Sequence, residues 1–173
     1  MTMINKDKVK FFLYTYFPII LLFISVSSEL DFKNLELKYF SFDFSYILIF
    51  YYSLKRRESL GYIAIFIAGL FNDVVAGSPM GISSLIYLLL CGAAAYLRNI
   101  TLRPNLLKDW IFFFVTLLIL NSLSFMLLTL IFNYNFNYLD QLTNVMVTFL
   151  LYLIFSYIFN FLDNFLLGSN NAS

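Results

Sequence analysis

The chain has 173 residues, of which 61% are hydrophobic and 12% are charged, and its formal net charge is +1. A soluble domain carries about 25% charged residues, so this composition indicates an integral membrane protein. A charge near zero gives no electrostatic basis for binding nucleic acid. The absence of histidine removes the commonest metal ligand and general base, and the single cysteine excludes an intramolecular disulfide.

Six apolar stretches along the chain predict membrane-spanning helices, each of which needs about 20 residues. The first stretch has a basic start but no small-residue cleavage site, so we expect an uncleaved helix rather than a signal peptide. The second is the weakest, because residues 39–45 alternate aromatic and polar in a manner typical of a strand. A helix is still expected there, since an open strand leaves backbone groups unsatisfied in lipid. The predicted spans are 11–27, 39–54, 60–76, 80–97, 110–132 and 143–167.

The basic residues alternate from loop to loop and predict the orientation of the chain. Nine of the eleven lysines and arginines fall before the first span, between the second and third, or between the fourth and fifth. Only Lys33 and Lys38 fall on the other side, among three acidic residues. Because basic loops stay in the cytoplasm, both termini are predicted to be cytoplasmic. The expected architecture is one all-α domain of six membrane helices over residues 1–173.

An acidic residue, Asp73, stands near the end of the third predicted helix, in the sequence GLFNDVVAGSPMG of residues 69–81. A charged group at mid-helix costs roughly 2.5–3.5 kcal/mol to insert, so something must compensate for it. Asp73 could accept hydrogen bonds from the N–H groups of Gly77–Gly81 and so fix the hairpin. The alternatives are a direct contact with a partner protein and a role with a proton or an ion. Its neighbours in the same segment complete this candidate site: Asn72, expected to bond to another helix, and Gly77, Pro79 and Gly81 of the turn.

Two other polar side chains lie within predicted spans. Asp43, at the start of the second helix, is either an interfacial residue that reaches water or part of an outward-facing polar pocket with Asp73. There it also complements the helix dipole. Asn121 lies midway along the fifth helix, where an amide is expected to make a hydrogen bond to another helix.

Small residues and a basic cluster provide the remaining candidates. Cys91 and Ala95 have the spacing that lets helix backbones approach closely, so this surface serves either internal packing or a partner helix. Ala94 and Ala95 are the contacts expected in the second case. The basic sequence of residues 55–57 is either an orientation signal or a site for anionic lipid or an acidic partner.

The central part of the chain, roughly residues 40–100, contains YYSLKRRE at 51–58, Gly61, Phe66, Gly69, Leu70, Asp73, SPMG at 78–81, and Leu85. In these residues it resembles the bacterial rod shape-determining protein family MreD. In that family an aromatic-rich helix ends in a short basic loop, and the next helix carries a Gly-Leu-x-x-Asp step and closes on a Ser-Pro-Leu-Gly turn. Met80 stands where leucine is usual, and Asp43 is similar to an acidic position that the family often carries.

The resemblance implies a non-catalytic, multi-pass subunit of the bacterial inner membrane that maintains rod cell shape and supports peptidoglycan synthesis during elongation. Its implied partners are MreC directly, and MreB, RodA and a class B penicillin-binding protein indirectly, within membrane lipid. No catalytic residue, cofactor or metal is expected. The alternative is a substrate-binding membrane subunit of an energy-coupling factor type vitamin transporter, whose fold the family is thought to resemble. Such subunits usually carry an Ala-x-x-x-Ala surface on the first helix, whereas residues 11–18 read FFLYTYFP.

Overall fold

The computed structural model describes residues 16–27, 42–56, 59–101, 105–132 and 138–168, and most of them are helical. No strand occurs among these residues, which confirms the all-α prediction. The second helix begins only at residue 44, so its predicted start at 39 is wrong for residues 42 and 43, while 39–41 lie outside the described residues. The helices are α1 (Tyr16–Ser27), α2 (Phe44–Lys55), α3 (Tyr62–Ala76), α4 (Ile82–Ile100), α5 (Leu106–Phe132) and α6 (Tyr138–Gly168).

Helix length divides the described elements into two groups. Three helices are long and apolar enough to cross a membrane, namely α4, α5 and the Gln141–Asn164 part of α6. The described parts of α1 and α3 are shorter apolar helices, and α2 has 12 residues, or about 18 Å. Length and composition therefore support three of the six predicted spans.

The short helix α2 lies at the centre of the bundle. Every residue from Ile47 to Tyr52 is at most 1% exposed. The Ser45 hydroxyl lies 2.7 Å from that of Ser25 in α1, and the Phe50 ring lies 4.8 Å from that of Phe113 in α5. Further contacts reach α4 and α6. Since this stretch faces other helices rather than lipid, α2 can be aromatic and partly polar.

The contacts of α2 also fix the directions of its neighbours. Tyr46 stacks edge-on against Tyr87 near the starts of α2 and α4, and Arg98 donates to the Ser53 carbonyl near their ends. Asn144 and Asp163 of α6 contact the start and the end of α2 in the same order. The three even-numbered helices therefore run in one direction. We call the end with their starts and the 77–81 turn the turn end, and the opposite end the basic end.

Helices α3 and α4 approach each other closely at Gly69. A Cβ atom added to Gly69 would lie 2.4 Å from the Ser84 Cα, which real Cβ atoms essentially never do. The Ser84 hydroxyl uses this proximity to donate to the Phe66 carbonyl at 3.0 Å. Gly69 is therefore required by packing, and the Gly-Leu-x-x-Asp step sets the distance between the two helices.

We predict that Gly69→Ala destabilises the protein by about 1–3 kcal/mol, because the added methyl group must push α3 and α4 apart. Gly92→Ala is the matched control, since a Cβ at Gly92 on the exposed side of α4 meets nothing within 4 Å. Thermal unfolding of each purified variant in detergent measures the change in stability. Equal melting temperatures for the two variants would contradict the close approach.

Candidate functional site

The Asp73 carboxylate organises the turn end of the α3–α4 hairpin. Asp73 is wholly buried, and its two oxygens accept three hydrogen bonds. Oδ1 accepts from the Ser78 hydroxyl and the Ser83 N–H, both at 2.9 Å, and Oδ2 accepts from the Gly81 N–H at 2.6 Å. The carboxylate thus satisfies the first free N–H groups of α4, which have no partner within that helix. Its negative charge also complements the positive end of the α4 dipole.

The backbone of the turn follows from its two glycines. Gly77 ends α3 at φ 67°, and Gly81 precedes α4 at φ 101°, both in the left-handed region that favours glycine. The Ser78 N–H donates to the Asp73 carbonyl at 3.0 Å, a bond typical of a helix that ends in a left-handed glycine. Pro79 fixes its own φ between them, and its carbonyl accepts from the Ile82 N–H at 3.4 Å. The Asp73 carbonyl therefore accepts a hydrogen bond on the α3 side of the turn, and the Asp73 carboxylate accepts hydrogen bonds on the α4 side.

Asn72 strengthens the same hairpin from the adjacent face of α3. Its Nδ2 donates to the Ser83 hydroxyl of α4 at 3.1 Å. The Ser83 hydroxyl therefore accepts a hydrogen bond from Asn72, and the Ser83 N–H donates one to Asp73. The sequence placed both residues in one candidate site, and the structure connects them through the first turn of α4.

Asp43 belongs to a separate polar contact at the turn end. Asn144 donates to its Oδ2 at 3.1 Å, and the Asp43 N–H donates to the Thr148 hydroxyl at 3.0 Å. Thr148 in turn donates to the Asn144 Oδ1 at 3.2 Å, which closes a ring of hydrogen bonds. This ring ties the start of α2 to α6. The described contacts of Asp43 are thus with α6, whereas those of Asp73 are with α4, and none of them unites the two acids in one pocket.

The other candidate residues take part mainly in internal packing. Asn121 of α5 reaches the Gln141 carbonyl of α6 at 3.5 Å, a long hydrogen bond of the kind expected there. Ala94 is wholly buried in the core, so the expectation that it contacts a partner helix is wrong for this structure. The physical reason is that Ala94 shares the buried side of α4 with Cys91, whose sulfur accepts a hydrogen bond from Ser53 of α2 at 3.3 Å. Ala95 is half-buried.

The basic end contains a charge cluster that the sequence analysis did not identify. Arg56 forms an ion pair with Asp163 of α6, and both side chains are 12% exposed. The guanidinium also lies 5.7 Å from the Tyr52 ring centroid, and the Tyr51 hydroxyl approaches Asp163 at 3.5 Å. Lys55 lies close enough to the buried Asp109 of α5 to act on it electrostatically.

Arg56 therefore pairs with an acid inside the bundle, a role that neither interpretation of residues 55–57 included. Arg57 lies outside the described residues. A signal for this arrangement was present in the sequence. Asp163 is an acidic residue within the predicted span 143–167, so the rule that singled out Asp73 applies to it equally. Among the described residues, no group of three or more potential ligands is placed to hold a metal ion.

Fold and sites together define an all-helical membrane protein whose buried polar groups hold its helices to one another. The family model described as rod shape-determining protein MreD matches residues 6–166. The chain therefore belongs to the MreD family and is a rod shape-determining membrane protein of a structural rather than a known enzymatic family. Comparison with curated proteins and with solved structures found no match.

We predict that Asp73→Leu lowers the yield of folded protein, because it leaves the partly buried N–H groups of Gly81 and Ser83 without their acceptors, at up to about 1–3 kcal/mol each. Asp73→Asn is expected to be partly tolerated. Its one carbonyl oxygen can replace Oδ1, while its amide group cannot accept from Gly81. Size-exclusion chromatography in detergent measures folded yield, and the exposed neighbour Val74→Leu is the control.

Two results would contradict this account of Asp73. A fully stable and functional Asp73→Leu protein would show that the hairpin does not need the carboxylate. An Asp73→Asn protein that folds normally but fails to complement a deletion strain would show instead a role that depends on charge.

Proposed function

We propose that this protein is a non-catalytic subunit of the bacterial elongation machinery that binds MreC in the inner membrane. Through MreC it would connect MreB filaments with peptidoglycan synthesis by RodA and a class B penicillin-binding protein. The observation that carries the proposal is the family match over residues 6–166. The structure supports it because the buried polar groups described above stabilise helix packing, as expected of a subunit that acts by assembling with others.

The proposal includes six membrane crossings with both termini in the cytoplasm. Two independent observations support it. The described helices alternate in direction, with α2, α4 and α6 parallel, and the basic residues concentrate in the loops of the basic end. Although α2 is too short to span a bilayer as an isolated helix, its burial removes the need for a full-length apolar surface.

The topology predicts which positions a membrane-impermeant thiol reagent reaches in intact cells. In a Cys91→Ser background, cysteines at Asn34 and Asn137 should be labelled from outside. A cysteine at Asn105, which is exposed at the basic end, should be labelled only after the membrane is permeabilised. The native Cys91 is buried, so its removal serves to clear the background. Labelling of Asn105 in sealed cells would overturn the proposed orientation.

A partner must bind mainly through helix surfaces within the membrane, given the short connections between the described helices. Large apolar side chains are exposed along the long helices and on α3, which packs mainly against α4. Ile63 and Val74 are prominent examples on α3. Such surfaces are compatible with lipid and with a single-span partner alike, and association there would rely on close packing rather than on the hydrophobic effect.

We expect the protein to co-purify from detergent with the MreC of its host, and its depletion to convert rod-shaped cells to spheres. An unrelated single-span membrane protein with the same tag is the control for non-specific association. Normal rods after depletion, together with tight binding of a vitamin by the isolated protein, would overturn the proposal and establish the transporter function instead.

A further inference from the structure

A shallow depression opens at the basic end where α2, α3 and α4 meet. It encloses about 220 Å³ including its open side, and it is lined by Ser53, Leu60, Tyr62, Cys91, Ala95 and Arg98. Most of that space is open to solvent, and the enclosed part has room for about one water molecule. The space here suits one small polar group entering from the side rather than a whole organic ligand.

Arg98 is the charged group of this depression, and its orientation is fixed. One nitrogen, Nη1, donates to the Ser53 carbonyl at 2.8 Å, at the C-terminal end of α2 where carbonyls lack partners within the helix. A guanidinium has five N–H donors in a planar fork, so others remain available. Because α2 holds the side chain in place, an anion would meet a preorganised cation rather than a mobile one.

The charge balance at the basic end distinguishes Arg98 from its neighbours. Arg56 has Asp163 as its counter-ion, and Lys55 acts on Asp109. In the part of the chain that the structure describes, no carboxylate forms a salt bridge with Arg98. A half-buried guanidinium that no described carboxylate neutralises can recruit an anion through charge-assisted hydrogen bonds.

The surroundings indicate where that anion comes from. Tyr62, at the rim of the depression, and Tyr96, two residues before Arg98, are both 60% exposed. Tyrosines with this exposure are typical of the level of lipid headgroups, where an apolar ring with a polar tip is favoured. In the proposed orientation this level belongs to the cytoplasmic leaflet, which is rich in anionic lipid.

We propose that the depression binds the phosphate of an anionic phospholipid, with Arg98 as the phosphate ligand and the apolar rim beside the glycerol backbone. The site rests on the proposed membrane orientation but is independent of MreC. Its occupant would join the end of α2, the start of α3 and the end of α4 at the membrane surface. Because Arg98 could bind free phosphate in the same way as a lipid phosphate, inorganic phosphate is the necessary comparison.

The test titrates the full-length protein in detergent with phosphatidylglycerol, phosphatidylcholine or inorganic phosphate, and counts bound molecules by native mass spectrometry. We expect Arg98→Gln to weaken phosphatidylglycerol binding about tenfold, as for the loss of one charge-assisted contact. Lys108→Gln removes an equal charge from an exposed position on α5 and should change the affinity less than about twofold.

A second pair of variants leaves the charge unchanged. Ala95→Leu fills the depression and should weaken phosphatidylglycerol binding, whereas Ala93→Leu, on the same helix and outside the lining, should not. Melting temperatures show that each variant is folded, and co-purification with MreC reports separately on the proposed function.

Three results would overturn the site. Equal losses for Arg98→Gln and Lys108→Gln would indicate general attraction to surface charge. If a folded Arg98→Gln protein bound phosphatidylglycerol as tightly as the unchanged protein, the only role left for Arg98 would be to cap the C-terminal end of α2. Binding of inorganic phosphate as tightly as phosphatidylglycerol would show an anion site that does not select lipid.

Discussion

The hydrogen bonding of the Asp73 carboxylate is the interaction on which the α3–α4 hairpin depends. A tight turn between two apolar helices leaves N–H groups at the start of the second helix without partners, and lipid supplies none. A carboxylate at the end of α3 provides acceptors for Gly81, Ser83 and Ser78 at once. The cost of burying the charge is offset by three hydrogen bonds and by the dipole of α4. This arrangement also determines the residues around Asp73, because glycine is needed at 77 and 81, where φ is positive, and at 69, where the two helices touch.

The same principle operates at the two other polar contacts of the bundle. The Asp43, Asn144 and Thr148 ring joins α2 to α6 at the turn end, and the Arg56–Asp163 pair joins the same two helices at the basic end. In an apolar surrounding, separating a polar group from its partner costs more free energy than it would in water, so these contacts fix which helices are neighbours. Packing between aromatic rings, such as Phe44 against Phe155, fills the space between them.

The central position of α2 explains why it was the weakest of the predicted spans. Hydropathy-based prediction assumes that each helix faces lipid, but α2 instead contacts α1, α4, α5 and α6 along its length. Its serines bond to Ser25 and Cys91, and its aromatic residues stack on α4, α5 and α6. An enclosed helix can be both short and partly polar, since neighbouring helices satisfy what lipid could not.

The sequence by itself determined the helical class, the approximate positions of the six helices and the importance of the segment around Asp73. These follow from local properties, namely apolar run length, glycine and proline placement, and the cost of a charge in an apolar helix. Only the tertiary structure decided which side chains meet. It paired Arg56 with Asp163 across 107 positions of chain, directed Asp43 to α6 rather than to Asp73, and buried Ala94 against the core. Such contacts depend on helix rotation and on neighbour choice, which arise when all six helices pack together and which no local pattern encodes.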